Sequence, residues 1–212
     1  MNLLDNRLYT AIAWYDQDKT YRDSQTGALV AVYGDGLEFE MRALVNENLS
    51  ILATATHTNT EEVSNGALAV INGADFAAQN GLNPEDVYGG RIAGPRSAFV
   101  GMNTRMERGG LPDNIVSIYG TWAQELGEGD VTGSLGLTWV DETYTDIMQT
   151  VMLPSYSIVN GSVSYAQGPF TGLLQVNNLL DEEYYTSADL FDSVVVKPSA
   201  GRTFSLTLTY AF

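Results

Sequence analysis

Apolar and polar residues alternate with a period of two over much of this chain. In TFSLTLTYAF, residues 203 to 212, Phe204, Leu206, Leu208, Tyr210 and Phe212 fall on one side of an extended backbone. Thr203, Ser205, Thr207, Thr209 and Ala211 fall on the other. LEFEMRALV repeats the rhythm, with Leu37, Phe39, Met41, Ala43 and Val45 opposite Glu38, Glu40 and Arg42. So do VTGSLGLTW, YSIVNGSVSY and FTGLLQVNN. The pattern predicts strands over residues 6–18, 29–45, 49–60, 114–124, 131–144, 156–166, 169–184 and 202–212.

Alternation alone does not say which row is wet. In a soluble sandwich the apolar row faces a core; in a membrane barrel it faces lipid, and the small polar row faces the lumen. The connections separate the two. Short polar links at Asn46–Asn48, Leu126–Asp130 and Gln167–Pro169 alternate with long ones near residues 19–28, 61–113, 145–155 and 185–201. Short turns at one end and long loops at the other are the pattern of an outer-membrane barrel. The predicted fold class is therefore all-β: an antiparallel transmembrane β-barrel segment of about eight strands with long extracellular loops. Aromatic residues near the predicted strand ends, Trp14, Tyr15, Tyr119, Trp122, Trp139, Tyr144, Tyr184, Tyr185, Tyr210 and Phe212, fit the interfacial girdles of such barrels.

Composition agrees with a barrel and removes several alternatives. No stretch holds the roughly 20 apolar residues of a transmembrane helix, and the mean hydropathy of -0.08 is what alternating strands leave behind. The absence of cysteine removes disulfides, zinc-thiolate sites and thiol nucleophiles. With 26 acidic against 10 basic residues, the net charge of -16 argues against a nucleic-acid partner. The opening MNLLDNRLYT has no basic or apolar signal region, so a barrel chain starting there is expected to be a fragment.

Catalytic chemistry is sparse, and no enzyme and no cofactor is expected. One histidine, His57, cannot supply a zinc set or a Cys-His pair, and its threonine neighbours point to a polar lumen or rim residue. Asp181, Glu182 and Glu183 lack the spacing of a calcium loop and read as a solvated strand end. Gly89-Gly90 and Gly109-Gly110 are not followed by the strand-to-helix unit of a phosphate site. Glu38, Glu40 and Arg42 are the lumen-facing candidates, where like carboxylates two residues apart need water or a cation between them. In the long loop, GADFAAQNGLNPEDVYGG predicts a short helix ended by Asn80-Gly81 and then a turn at Asn83-Pro84.

The order of LLDNRLYTAIAWYDQDKT, GLEFEMRALVNENLSILATATHT, LPDNIVSIYGTW, LPSYSIVNGSVSY, LLQVNNLLDEEYY and GRTFSLTLTYAF resembles the C-terminal part of a TonB-dependent outer-membrane receptor. QVNNLLDEEYY, residues 175 to 185, is similar to that family's NVxNLFDxxY strand. The resemblance implies a 22-stranded barrel with an N-terminal plug, importing iron-siderophores, cobalamin or other scarce nutrients and driven by the TonB complex. Eight strands would be the C-terminal third of such a barrel, with the plug absent and the segment inactive alone. It implies a Gram-negative outer-membrane location, with lipid, the plug and the N-terminal strands as partners. It also makes Phe204, Leu206, Leu208, Tyr210 and Phe212 the assembly signal read by the barrel-assembly machinery. Residues 61–113 and 186–200 are then the loop candidates for ligand. Two other architectures compete: a small closed eight-stranded barrel with a structural or adhesion role, and a soluble β-sandwich binding module.

Overall fold

The computed structural model describes residues 2–5, 7–22, 29–64, 106–145, 151–187 and 196–212. Eight long strands form one antiparallel meander: β1 (Leu8–Arg22), β2 (Leu29–Leu44), β3 (Leu49–Ser64), β4 (Asn114–Leu126), β5 (Gly129–Val140), β6 (Tyr156–Gln167), β7 (Phe170–Asn177) and β8 (Thr203–Tyr210). Each pairs with its neighbours in chain order. Short pieces extend the sheet: Asn2–Leu3 pairs with β1, and Met106–Glu107 with β3. Two small ladders stand apart, Thr143–Tyr144 with Met152–Leu153 and Tyr185–Ser187 with Val196–Pro198.

Register turns the alternation of single strands into two continuous faces, because directly paired residues point the same way. Phe204, Leu206, Leu208 and Tyr210 pair with Val176, Leu174, Gly172 and Phe170. The same face continues through Val163 and Tyr165 on β6, Leu135, Leu137 and Trp139 on β5, and Val116, Ile118 and Trp122 on β4. It ends with Ile51, Ala53 and Ala55 on β3, Met41, Phe39 and Leu37 on β2, and Ile12 and Trp14 on β1. Opposite lie the hydroxyl and amide residues, among them Thr54, Thr56, Ser117, Thr138, Ser134, Ser162, Gln175, Ser205 and Thr207. Ser117 bonds Thr138 at 3.0 Å and Ser134 bonds Ser162 at 2.7 Å, so hydroxyls run in ladders across that face.

Most of the apolar face is exposed among the described residues. Among the described residues only Val30, Val63 and Leu153 are buried apolar side chains, while Ile12, Trp14, Leu206 and Leu208 are 72, 70, 68 and 77% exposed. That leaves no core of the sandwich kind among the described residues. The sheet is also open: β8 and the Asn2–Leu3 piece end it without pairing to each other. A closed eight-stranded barrel is thereby corrected, since closure requires the first and last strands to share a ladder.

The three tight turns all lie at one end of the sheet. Gly127 and Gly168, with φ of +67° and +55°, hold the first central positions of two-residue turns, where a left-handed backbone matches strand twist. The β2–β3 turn is held by the Asn46 side chain, whose Oδ1 accepts from the amides of Asn48 and Leu49 at 2.9 Å.

Several boundaries differ from the sequence expectation. β1 runs to Arg22 and β3 to Ser64 because the ladder outlasts the apolar row. Above Trp14, Leu37 and Ala55 that face carries Asp16, Asp18, Asp35, Asn59 and Glu61. A spanning strand needs only about 10 residues, so the upper part of β1–β3 extends past the length a span requires. β7 stops at Asn177 because Asn178 takes φ of +53°, which no strand continues through. The predicted helix and turn of the long loop lie outside the described residues.

Candidate functional site

The polar face is where this sheet meets water and solutes, and β2 gives it its charged stripe. Glu38, Glu40 and Arg42 share that face, opposite Thr56, Thr54 and Leu52 of β3. The expected repulsion is relieved within the strand: Arg42 Nε lies 2.5 Å from Glu40 Oε1. The remaining amino groups of Arg42 have no partner among the described residues.

Three glycines let aromatic rings lie flat on the sheet. Tyr15 covers Gly36, where an added Cβ would sit 2.5 Å from the Tyr15 hydroxyl, and that hydroxyl bonds Thr58 at 2.8 Å. Tyr119 covers Gly136 and bonds Thr138 at 3.1 Å. Tyr165 covers Gly129 on the apolar face. This corrects the aromatic reading: Tyr15 and Tyr119 are on the polar face, covering glycines rather than forming a girdle. The aromatic residues on the apolar face nearest the short turns are Trp122, Tyr165, Phe170 and Tyr210, two of which sequence position did not mark. Phe170 and Tyr210 lie 4.7 Å apart between centroids, and Tyr210 meets Phe212 edge-on at 5.2 Å.

His57 is not in the polar row. It pairs with Leu37 and Asn114, which puts it on the apolar side where that side becomes polar, so it is a rim residue and not a lumen residue. Its Nδ1 lies 2.9 Å from Asn114 Oδ1, and Asn114 Nδ2 donates to Asp141 Oδ2 at 2.6 Å, linking β3, β4 and the end of β5. Beside them, burial pushes the Asp113 carboxyl above the usual carboxylate range; His57 opposes the rise and Asp141 adds to it.

QVNNLLDEEYY is a clamp. Asn178, 4% exposed, donates its amide to Asn160 Oδ1, and its side chain both donates to Glu182 O and accepts from Glu182 N, all at 2.9 Å. Asparagine suits the site because it tolerates the left-handed backbone and supplies both partners. Asp181 is more than a solvated end: its Oδ1 accepts from the Arg202 amide at 2.7 Å, joining the end of β7 to the start of β8. Arg202 also donates to Leu179 O at 3.1 Å, and Tyr156 stacks on Tyr184 at 4.2 Å. Replacing Asn178 with alanine leaves the part-buried N–H and C=O of Glu182 without their partner and strains the turn. We expect a loss of about 2 to 4 kcal/mol in the urea-unfolding free energy. Asn177→Ala next door loses one long contact to Thr203 and should cost under about 0.5 kcal/mol.

No protein-family model and no curated protein matches the sequence. Solved structures do. The siderophore receptor PiuA from Acinetobacter baumannii aligns with 99% of this chain at TM-score 0.64 and 18% identity. The ferric preacinetobactin receptor BauA from the same organism aligns with 97% at 0.63 and 14%. The ferripyoverdine receptor of the outer membrane of Pseudomonas aeruginosa aligns with 99% at 0.58 and 14%. The fold is that of part of a TonB-dependent siderophore-receptor barrel. The chain spans 27, 27 and 25% of those three receptors, a quarter or slightly more of each. At these identities the likeness is one of architecture.

Proposed function

We propose that residues 1–212 are the C-terminal barrel wall of a TonB-dependent receptor in a Gram-negative outer membrane, importing an iron-siderophore or similarly scarce nutrient. The observation that carries this is the pair of faces: an apolar surface across eight strands, exposed over most of its described area, backed by hydroxyl ladders. Lipid is the solvent that suits the first and a water-filled lumen the second. Under this reading the tight turns are periplasmic and the long connections extracellular. Glu38, Glu40 and Arg42 line the lumen, a plug fills it, and TonB acts through that plug. Phe204, Leu206, Leu208, Tyr210 and Phe212 form the strand that the assembly machinery pairs with.

Because the chain has no cysteine, Leu206→Cys and Thr207→Cys each carry a unique thiol. In outer membranes, a water-soluble maleimide should label Thr207→Cys, while Leu206→Cys should react only with a membrane-partitioning one. Equal labelling of both by the water-soluble reagent would sink the barrel reading. The ligand class is tested by titrating membranes that hold the full-length receptor with ferric hydroxamate, catecholate and hydroxycarboxylate siderophores and with cobalamin. Saturable retention of one supports uptake; retention of none counts against it.

A further inference from the structure

We propose that Tyr156 and Tyr184 form an oxidative cross-linking site, at which a peroxide-class oxidant joins the two rings as dityrosine and staples the start of β6 to the segment after β7. The inference needs only the fold of β6 and β7 and is independent of the uptake reading. The rings lie 4.2 Å apart between centroids, with their planes 15° from parallel. Both backbones are held, so the contact is built in. Tyr156 sits in the β5–β6 ladder opposite Val140, while Tyr184 donates its amide to Ser199 Oγ at 3.3 Å and accepts from the Ser199 amide at 2.8 Å. The Leu179 amide donates to Val159 O at 2.7 Å, which together with the Asn178 clamp fixes the path between the two rings.

A stacked pair is the right starting geometry for this bond. A tyrosyl radical carries its unpaired electron partly on the ring carbons beside the hydroxyl, in orbitals perpendicular to the ring, and in a parallel stack those orbitals face each other. Each phenol yields one hydrogen atom to hydrogen peroxide activated at iron. The two radicals pair as a carbon–carbon bond, and the ring hydrogens at that bond pass to the oxygens as aromaticity returns. Two phenols and one hydrogen peroxide thus become one biphenol and two waters. Phe170–Tyr210 and Tyr210–Phe212 are tilted or edge-on and hold one phenol each, so they cannot follow this path. Tyr156 and Tyr184 are both half-buried, so a small oxidant reaches them. In a chain without cysteine the link takes the place of a disulfide: it closes β6 and β7 into a covalent ring and restricts the unfolded chain.

The test treats the full chain in outer membranes with hydrogen peroxide and catalytic haem. A glutamate-specific protease cuts after Glu182 and Glu183, between the two tyrosines, so the link joins peptides that otherwise separate. The expected product is that joined pair, lighter than its parts by two hydrogens and carrying dityrosine fluorescence. Tyr156→Phe and Tyr184→Phe should each lower its yield about tenfold or more, because a held pair couples far faster than groups that must meet by diffusion. Tyr185→Phe leaves the stack intact and should give the parent yield. Heat-modifiable migration shows that each variant is folded. Equal yield across the three variants, or undiminished yield in the urea-unfolded chain, overturns the proposal. So does a link found only between two copies, seen as a dimer on denaturing gels, and so does the absence of any dityrosine.

Discussion

Leu208→Asp is expected to reduce the folded, outer-membrane form several-fold, whereas Thr207→Asp, one residue away, should change it less than about twofold. The two residues are adjacent in β8 and point to opposite faces. Leu208, 77% exposed, pairs with Gly172 in the apolar row, and Thr207 pairs with Leu173 in the other. If the apolar row is dissolved in hydrocarbon, an aspartate at 208 must be desolvated or protonated, at a cost on the order of 2 kcal/mol. At 207 the same carboxylate joins a hydroxyl-rich surface beside Ser205 and Thr209 and stays hydrated. Heat-modifiable migration of membrane fractions measures the folded form. Equal levels for the two variants would show that the faces are assigned the wrong way round.

That prediction was legible in the sequence, and the reason is physical. Where a strand separates two solvents, composition alternates with the pleat, so TFSLTLTYAF and LEFEMRALV reveal their faces without coordinates. The signal fades where both sides are wet. Residues 19–22 read as loop, yet Lys19, Thr20, Tyr21 and Arg22 pair with Val32, Ala31, Val30 and Leu29, because backbone hydrogen bonding continues where side-chain polarity no longer alternates. Long-range contacts were invisible for a different reason. That Asn178 is buried under Glu182 depends on a left-handed turn that propensity permits but does not require. His57 shows the limit of local reading, since its threonine neighbours point to the opposite face and its partner, Asn114, comes from β4 and is itself tied to Asp141.

The surroundings of Arg42 were half legible. Alternation put Arg42 with Glu38 and Glu40 on one face, but Arg7 comes to it from the turn before β1, Tyr9 from β1 and Tyr119 from β4. Only the register between strands, which a single sequence does not encode locally, brings them together.

Gly136→Ala is expected to be clearly destabilising. A Cβ at 136 would fall inside the Tyr119 ring, which lies across that glycine and is tied by its hydroxyl to Thr138. The ring must leave its place, giving up both the hydrogen bond and its packing on the strand, so the loss should be about 1 to 3 kcal/mol. Gly133, three residues earlier in β5, supplies the control. An alanine there meets nothing nearer than a carbonyl oxygen at 4.0 Å, and Gly133→Ala should be neutral or slightly stabilising because it narrows the unfolded ensemble. The mechanism is isolated by adding Tyr119→Ser. With the ring gone, Gly136→Ala should cost no more than Gly133→Ala, and urea unfolding in lipid vesicles gives all four corners of the cycle. If Gly136→Ala remains as damaging in the Tyr119→Ser background, the glycine is required for some reason other than the tyrosine that covers it.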